Sequence, residues 1–420
     1  MSKPSTDATP TPPSEDHSEE RTERGQSGRR PGQAALLRQI ASSPAVVGLL
    51  AVLTALILSS ILILAADSEV RYTATYLLNR PGDFLHATAS TLSEAYSSLL
   101  RGAVLDWRAT TGVRMIRPIT DTLTNATPLI IAGLGMAVAF RAGLFNIGGQ
   151  GQMILGAITA CYVGIAWNLP PVAHLLLAVV GAALGGLVWG GIAGVLKART
   201  GANEVIVTIM LNSIAAHLLS QVLSLKAFNG EGETGNRKSL TVADTAQYPW
   251  LAGDSFRLHA GFLLALLVAV AVWWLMERSR LGFQLRATGL NADAARTAGM
   301  SVPWVTSLVM MISGALCGLA ATAPVLGTQK SMDESVVGTI GFDAITVALL
   351  GRSRPLGTVL AGLLFGALRA GGTAMQAAPG THIKIVLVLQ STIVLFIAAP
   401  PLIRAIFRLP ERREPLGGTD

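Results

Sequence analysis

Long apolar runs alternate with short polar breaks along most of the chain. Runs rich in Leu, Ala, Val, Ile and Gly occupy 45–66, 119–140, 144–167, 172–196, 205–225, 258–276, 305–326 and 383–403, with shorter ones at 338–350 and 356–370. About twenty apolar residues are enough for a helix to cross the hydrocarbon core of a bilayer. Backbone groups in lipid must bond within their own segment, so each run is predicted to be helical. The pattern predicts an all-α membrane protein of about ten transmembrane helices. Within the long polar interval 67–118, the stretch 84–104 predicts an amphipathic helix lying on the outer surface.

Basic residues set the orientation. Arg21, Arg24, Arg29, Arg30 and Arg38 precede the first run, which places the N-terminus in the cytoplasm. Alternating from there puts Arg141, then Lys197 and Arg199, then Arg278, Arg280 and Arg286 inside. Arg352 with Arg354, and Arg404 with Arg408, also fall inside. The turns 168–171 and 375–382 fall outside and are poor in Arg and Lys. Both termini are therefore expected to be cytoplasmic. Two sets of five spans, an odd number each, have opposite orientation, the arithmetic of inverted halves.

Composition agrees with a lipid-embedded chain. Of 420 residues, 51% are hydrophobic and 14% charged, against about 25% charged in soluble proteins. The 44 glycines suit close helix contact in lipid. The expected organisation is a disordered cytoplasmic tail over 1–40, a transmembrane domain over 41–409 and a cytoplasmic tail over 410–420. The net charge of +7 resides largely at the ends of the apolar runs, and no basic–aromatic stretch suggests nucleic acid. Cys161 and Cys317 lie inside apolar runs and read as packing residues.

Polar residues inside the runs are the candidates for a solute path. The 143–152 segment, GLFNIGGQGQ, crowds glycine with Asn146, Gln150 and Gln152. Its counterpart in the second half is the short run 338–350, which carries Asp343. Short or glycine-interrupted segments at corresponding positions point to broken helices beside a path, or to tight packing alone. Asp343 reads either as a functional acid or as a cap on a broken helix. Glu204, Thr208 and Asn212, four apart, share one helix face. That stripe either borders water or forms a polar seam between helices. The inner loop 277–303 contains Asn291 as an N-cap, Asp293 in the first turn and Gly299 as a stop, which predicts a short helix over 292–298. No GxxxxGK[ST] phosphate loop, HExxH or Cys–His metal spacing occurs. If transport uses ATP, another chain must bind it.

Four of these segments, FRAGLFNIGGQGQMILGA, GANEVIVTIMLN, LGFQLRATGLNADAARTAGM and GFDAITVALLGRSRPLG, occur in the order that resembles the branched-chain amino acid/ribose-type ABC permease superfamily. The nucleoside permeases within it are most similar, with an FNIGxEGQ-like motif. Gln150 stands here where that motif commonly has Glu. The resemblance implies a permease of the plasma membrane that needs no cofactor in its own chain and draws on ATP bound by a separate ABC subunit. It implies two further partners, a second and related permease and an extracytoplasmic substrate-binding lipoprotein. Arg286, Ala287, Gly289, Asn291, Ala294, Ala295 and Gly299 would form the coupling helix that docks on the ATPase. Asn146, Gln150 and Gln152 would lie near the path. Two other classes remain. An ion-coupled transporter would rely on Glu204 and Asp343, and a membrane enzyme would need a nucleophile or metal set that no spacing supplies.

Overall fold

Small residues repeating every four positions decide how the longest helices meet. In the computed structural model of the protein, residues 44–229 and 237–377 are described, with 391–392, 395–396, 402 and 405–408 beyond them. The chain divides into two units, Met1–Val52 with Ala399–Asp420, and Leu53–Ala398. The helices from residue 53 onward that are treated below belong to the second. The tails expected over 1–40 and 410–420, and most of the run 383–403, lie outside the described residues.

The described elements are α1 (Pro44–Ala66), α2 (Ser68–Ala74), α3 (Pro81–Ala103), α4 (Gly112–Arg141), α5 (Gly149–Ala166), α6 (Pro171–Thr200) and α7 (Glu204–Leu223). After them come α8 (Lys226–Asn229), α9 (Gly261–Arg278), α10 (Arg280–Leu290), α11 (Ala292–Thr297), α12 (Val302–Ala320), α13 (Ile340–Leu350) and α14 (Pro355–Ala377). Among the described residues there is no strand, only the isolated bridges Lys238–Asp333 and Trp250–His259.

α4 is the central post. Residues 126–139 are buried on every side, as a helix that is apolar all round must be. α9, α12, α13 and α14 pack around it. α6 has two unlike faces. Val172, Leu176, Val180, Leu184 and Val188 form an exposed ridge, which suits contact with lipid chains. On the other side, Ala182, Gly186, Gly190 and Gly194 meet α12. A Cβ on Gly186 would strike the Gly314 carbonyl oxygen and reach the Gly318 Cα at 2.8 Å. Bare backbone on both helices lets them approach this closely, so dispersion contact and not aqueous hydrophobicity holds the pair in lipid.

Six described helices are long and apolar enough to cross a membrane, namely α4, α6, α7, α9, α12 with its continuation to Thr328, and α14 to Gln376. There are seven if α1 and α2, bent by 78°, count as one span. Three expectations change in detail. The run 144–167 becomes helical only at Gly149, because Gly143 adopts φ +74° and turns the chain. The run 305–326 is α-helical to Ala320 and then widens into a π-helical turn, Ala323–Thr328, where Gln329 N–H bonds the Pro324 carbonyl at 2.9 Å. The helix expected over 84–104 exists as α3, but it packs along α14. Its small residues allow this, since a Cβ on Gly102 would strike Ala374.

A polar segment, 237–260, lies along the chain that follows α12. The amides of Ser239, Val242 and Tyr248 donate to the carbonyls of Met332, Lys330 and Leu326 at 2.7, 2.9 and 2.9 Å. His259, two residues before α9, is buried with its ring stacked on Tyr248 at 5.4 Å.

Candidate translocation path and coupling loop

The short helix anticipated in the 277–303 loop is α11. Asn291 Oδ1 accepts from the amides of Asp293 and Ala294, each at 3.0 Å, so the cap satisfies two donors that the helix cannot. Gly299 follows at φ +83°, where a side chain would be strained. Asn291, Ala294 and Gly299 are exposed, Ala295 is buried, and Arg286 and Ala287 are half-buried. The Leu290 side chain stands 88% exposed at the junction of α10 and α11. Sequence reading passed over it, although a large apolar residue between two polar helical turns was the available signal.

α10 rests directly on the C-terminal end of α4. A Cβ on Gly289 would strike the Arg141 carbonyl oxygen and come within 2.9 Å of the Ala142 Cα. Arg141 also pairs with Glu277 at 2.7 Å. The next residue, Gly143, turns the chain into the non-helical stretch 144–148 that opens α5. Displacement of α10 therefore bears on the start of α5 through backbone contact alone.

At that start the expected polar residues converge. Asn146 and Gln152 exchange amide hydrogen bonds, with Nδ2 to Oε1 at 3.0 Å and Nε2 to Oδ1 at 3.2 Å. Asn146 Nδ2 also donates to Ser313 Oγ of α12 at 2.9 Å, and its Oδ1 accepts from the Gly148 amide at 2.8 Å. Asn212 of α7 accepts from the Gly151 amide at 2.8 Å and donates to the Ile147 carbonyl at 2.9 Å. Asn146 and Gln152 are fully buried. Gln150 points the other way. It donates to the Gly338 carbonyl at 2.7 Å and accepts from the Gly341 amide at 3.2 Å, tying α5 to the start of α13.

Of the remaining residues, Thr208 lies against the same start of α5, where a Cβ on Gly148 would come 3.0 Å from the Thr208 Cβ. The buried Thr208 hydroxyl donates to the Glu204 carbonyl of its own helix at 2.7 Å. Glu204 pairs with Lys197 at 2.8 Å, closing the α6–α7 turn. Asp343 binds Arg369 of α14 and accepts from Thr339 at 3.0 Å. Ser313 and Arg369 were missed from sequence. Arg369 is a charged residue near the end of an apolar run, and such a charge needs a partner. Its partner lies 26 positions earlier, a separation that no local pattern marks. Beside the Asp343–Arg369 pair is a cleft of 220 Å³ between α4, the π-helical turn, the 335–340 stretch and α14. Among the described residues no group of His, Cys, Asp and Glu could hold a metal ion.

Known proteins are similar to this chain in sequence. The guanosine ABC transporter permease protein NupP of Bacillus subtilis is 40% identical over 291 residues, 69% of this chain and 83% of that one. The glucose ABC transporter permease protein TsgB13 of Haloferax volcanii is 37% identical over 66% of this chain and 75% of its own length. The nucleoside ABC transporter permease protein NupB of Lactococcus lactis is 33% identical, with coverages of 67% and 79%. Residues 119–398 match the family described as branched-chain amino acid transport system / permease component. The chain belongs to that family and is a membrane-spanning permease subunit of an ABC transporter, a transport component and not an enzyme.

Proposed function

We propose that this permease imports nucleosides across the plasma membrane as one of two related permease subunits. A separate ATP-binding subunit powers it, and an extracytoplasmic lipoprotein delivers the solute. The observation that carries the solute assignment is the 40% identity to a guanosine permease. In this reading the chain spans the membrane about ten times in two inverted halves, with both termini in the cytoplasm.

α11 is the docking element, with Arg286, Ala287, Gly289, Asn291, Ala294, Ala295 and Gly299 in the segment that carries it. Closure of the ATPase pair pushes α10, and Gly289 passes the push to the backbone of Arg141 and Ala142. The Asn146–Gln152 knot, with Gln150, Thr208 and Asn212, moves with the start of α5. Glu204 and Asp343 hold neighbouring elements through their ion pairs. The path opens in alternation to either side.

The 37% identity to a glucose permease favours a second reading, import of a sugar. Uptake of labelled guanosine, uridine, glucose and leucine by cells expressing the chain, with and without its ATPase and binding protein, separates the two. Nucleoside uptake that needs both partners supports the proposal. Glucose uptake alone supports the second reading. Uptake by this chain alone, collapsed by a protonophore, overturns both.

A further inference from the structure

The side-chain amides around the start of α5 are spent. Asn146 and Gln152 hold each other, Asn146 also holds Ser313, and Asn212 holds the Gly151 amide and the Ile147 carbonyl. One donor beside them is not spent. Trp189 of α6 is half-buried, yet its Nε1 is sealed from solvent and, among the described residues, has no hydrogen-bond partner. It lies well inside the α6 span, so bulk water cannot satisfy it. Buried polar groups are nearly always bonded, and a native exception calls for an explanation.

Gly151 shows where that donor stands. A Cβ there would come 2.9 Å from Trp189 Nε1 and 3.0 Å from Asn212 Oδ1. The indole N–H and the amide oxygen therefore border the same bare Cα, one from α6 and one from α7. Asn212 Oδ1 accepts from the Gly151 amide, and a carbonyl oxygen has room for a second bond. A spare donor and a spare acceptor thus flank the element that the proposed coupling movement displaces.

We infer that Trp189 is a positioning residue whose indole N–H bonds Asn212 Oδ1 when the start of α5 shifts, in exchange for the Asn146–Ser313 bond. α6 and α12 lock along bare glycine backbone, so Trp189 and Ser313 belong to one frame. Asn146 and Asn212 belong to another, joined by their bonds to Gly148, Ile147 and Gly151. Sliding one frame past the other parts Asn146 Nδ2 from Ser313 Oγ and closes Trp189 Nε1 on Asn212 Oδ1. The Ser313 hydroxyl can then turn to a carbonyl of its own helix one turn back. Asn146 Nδ2 keeps its bond to Gln152 Oε1. One buried donor is unbonded in each position, the indole N–H in this one and an amide hydrogen of Asn146 in the other. The two positions are thereby balanced, and a modest differential push shifts the population between them. The inference rests on the reading that the start of α5 moves during transport.

Proton NMR of the assembled transporter tests it, with isotope-labelled tryptophan in this subunit only. The chain has seven tryptophans, and Trp189→Phe identifies the signal. Without nucleotide the indole N–H should show the shift of an unbonded group, and trapping with ATP and vanadate should move it to that of a bonded one. Ser313→Ala weakens the position seen here, so the bonded fraction should rise about fivefold before nucleotide is added, the worth of one hydrogen bond. Trp189→Phe should cut uptake about fivefold or more. Adding Ser313→Ala should restore part of that uptake, whereas two merely structural defects would compound. A signal already bonded without nucleotide in the parent, or one that trapping leaves in place, overturns the exchange. A double variant that transports less than Trp189→Phe overturns the part given to Ser313. A parent that carries no solute with its partners present counts against the importer reading, while the Ser313→Ala spectrum, which needs no nucleotide, still tests the exchange.

Discussion

Asn146 and Gln152 hold each other by both ends of their amides, at 3.0 and 3.2 Å, six residues apart across the first turn of α5. The pair is buried and shares its donors with Ser313 on α12. Removing one member strands the other's polar atoms away from water, at about 1–3 kcal/mol for each stranded group. Asn146→Leu and Gln152→Leu should each lower the thermal midpoint of the purified protein. The double variant should lose less than the sum, because its partner groups leave together. Strict additivity in a thermal shift series would show that the pair is not a unit.

The α6–α12 seam predicts a sharp steric threshold. Gly186→Leu forces a side chain against the Gly314 carbonyl and Gly318 Cα, where only backbone could yield. Overpacked cores lose about 1–3 kcal/mol, and occasionally more. The variant should express poorly or run as aggregate in size-exclusion chromatography. Gly82→Ala, with nothing within 4 Å, should behave as the parent does.

Asp343 and Arg369 are each about a quarter exposed, so water screens the pair in part. Asp343→Ala leaves a guanidinium beside α13 without its counter-charge, and stability and uptake should both fall. Replacing both by Ala should restore part of the lost stability, since the unpaired charge is gone. A double variant less stable than Asp343→Ala in thermal melts would mean that Arg369 has another essential partner.

Burial holds the His259 imidazole down to about 4 from an ordinary 6.5. Its Nδ1 accepts from the Gly261 amide at 3.2 Å, which requires the neutral ring. Tyr248 and Trp250 face it, and Lys330 lies over the Trp250 ring at 5.1 Å, so none of these neighbours is an anion that would favour the charged ring. The stabilisation is fully present above pH 6.5 and is lost as pH falls through the window down to about 4, by up to roughly 3 kcal/mol. Thermal midpoints measured from pH 7.5 to 4.5 should drop in the parent. The slope should be shallower in His259→Gln, which has no charge to gain.

Most of the helical framework was legible because lipid leaves the backbone few choices. The α4, α6, α7 and α9 runs are long, apolar and flanked by arginine or lysine; the helices of the last three lie within a few residues of where hydropathy put them, and α4 starts seven residues before its run, at Gly112. The α11 helix was legible from Asn291 and Gly299, a cap and a stop that act locally. What sequence concealed was pairing at a distance. Nothing near Asn146 announces Ser313, and nothing near Asp343 announces Arg369. The π-helical turn was hidden for another reason, since hydropathy runs on unchanged through Pro324 while the hydrogen-bond pattern shifts by one residue.

The last prediction separates docking from transmission along the proposed coupling loop. Ala294 is exposed on α11, whereas Ala295 is buried and an arginine there would damage the loop itself. Ala294→Arg and Leu290→Asp therefore probe the surface presented to a partner, and each should reduce co-purification of the ATPase. Gly289 probes the step after docking. Gly289→Val would drive a branched side chain into the backbone of Arg141 and Ala142, so α10 must lift away from α4. The ATPase should still co-purify and hydrolyse ATP, but uptake per ATP hydrolysed should fall about tenfold or more, as a small misplacement of a transmitting contact can produce. If Gly289→Val also loses the ATPase, α10 is part of the docking surface. If it transports normally, the path from the loop to α5 does not run through the Gly289–Arg141 contact.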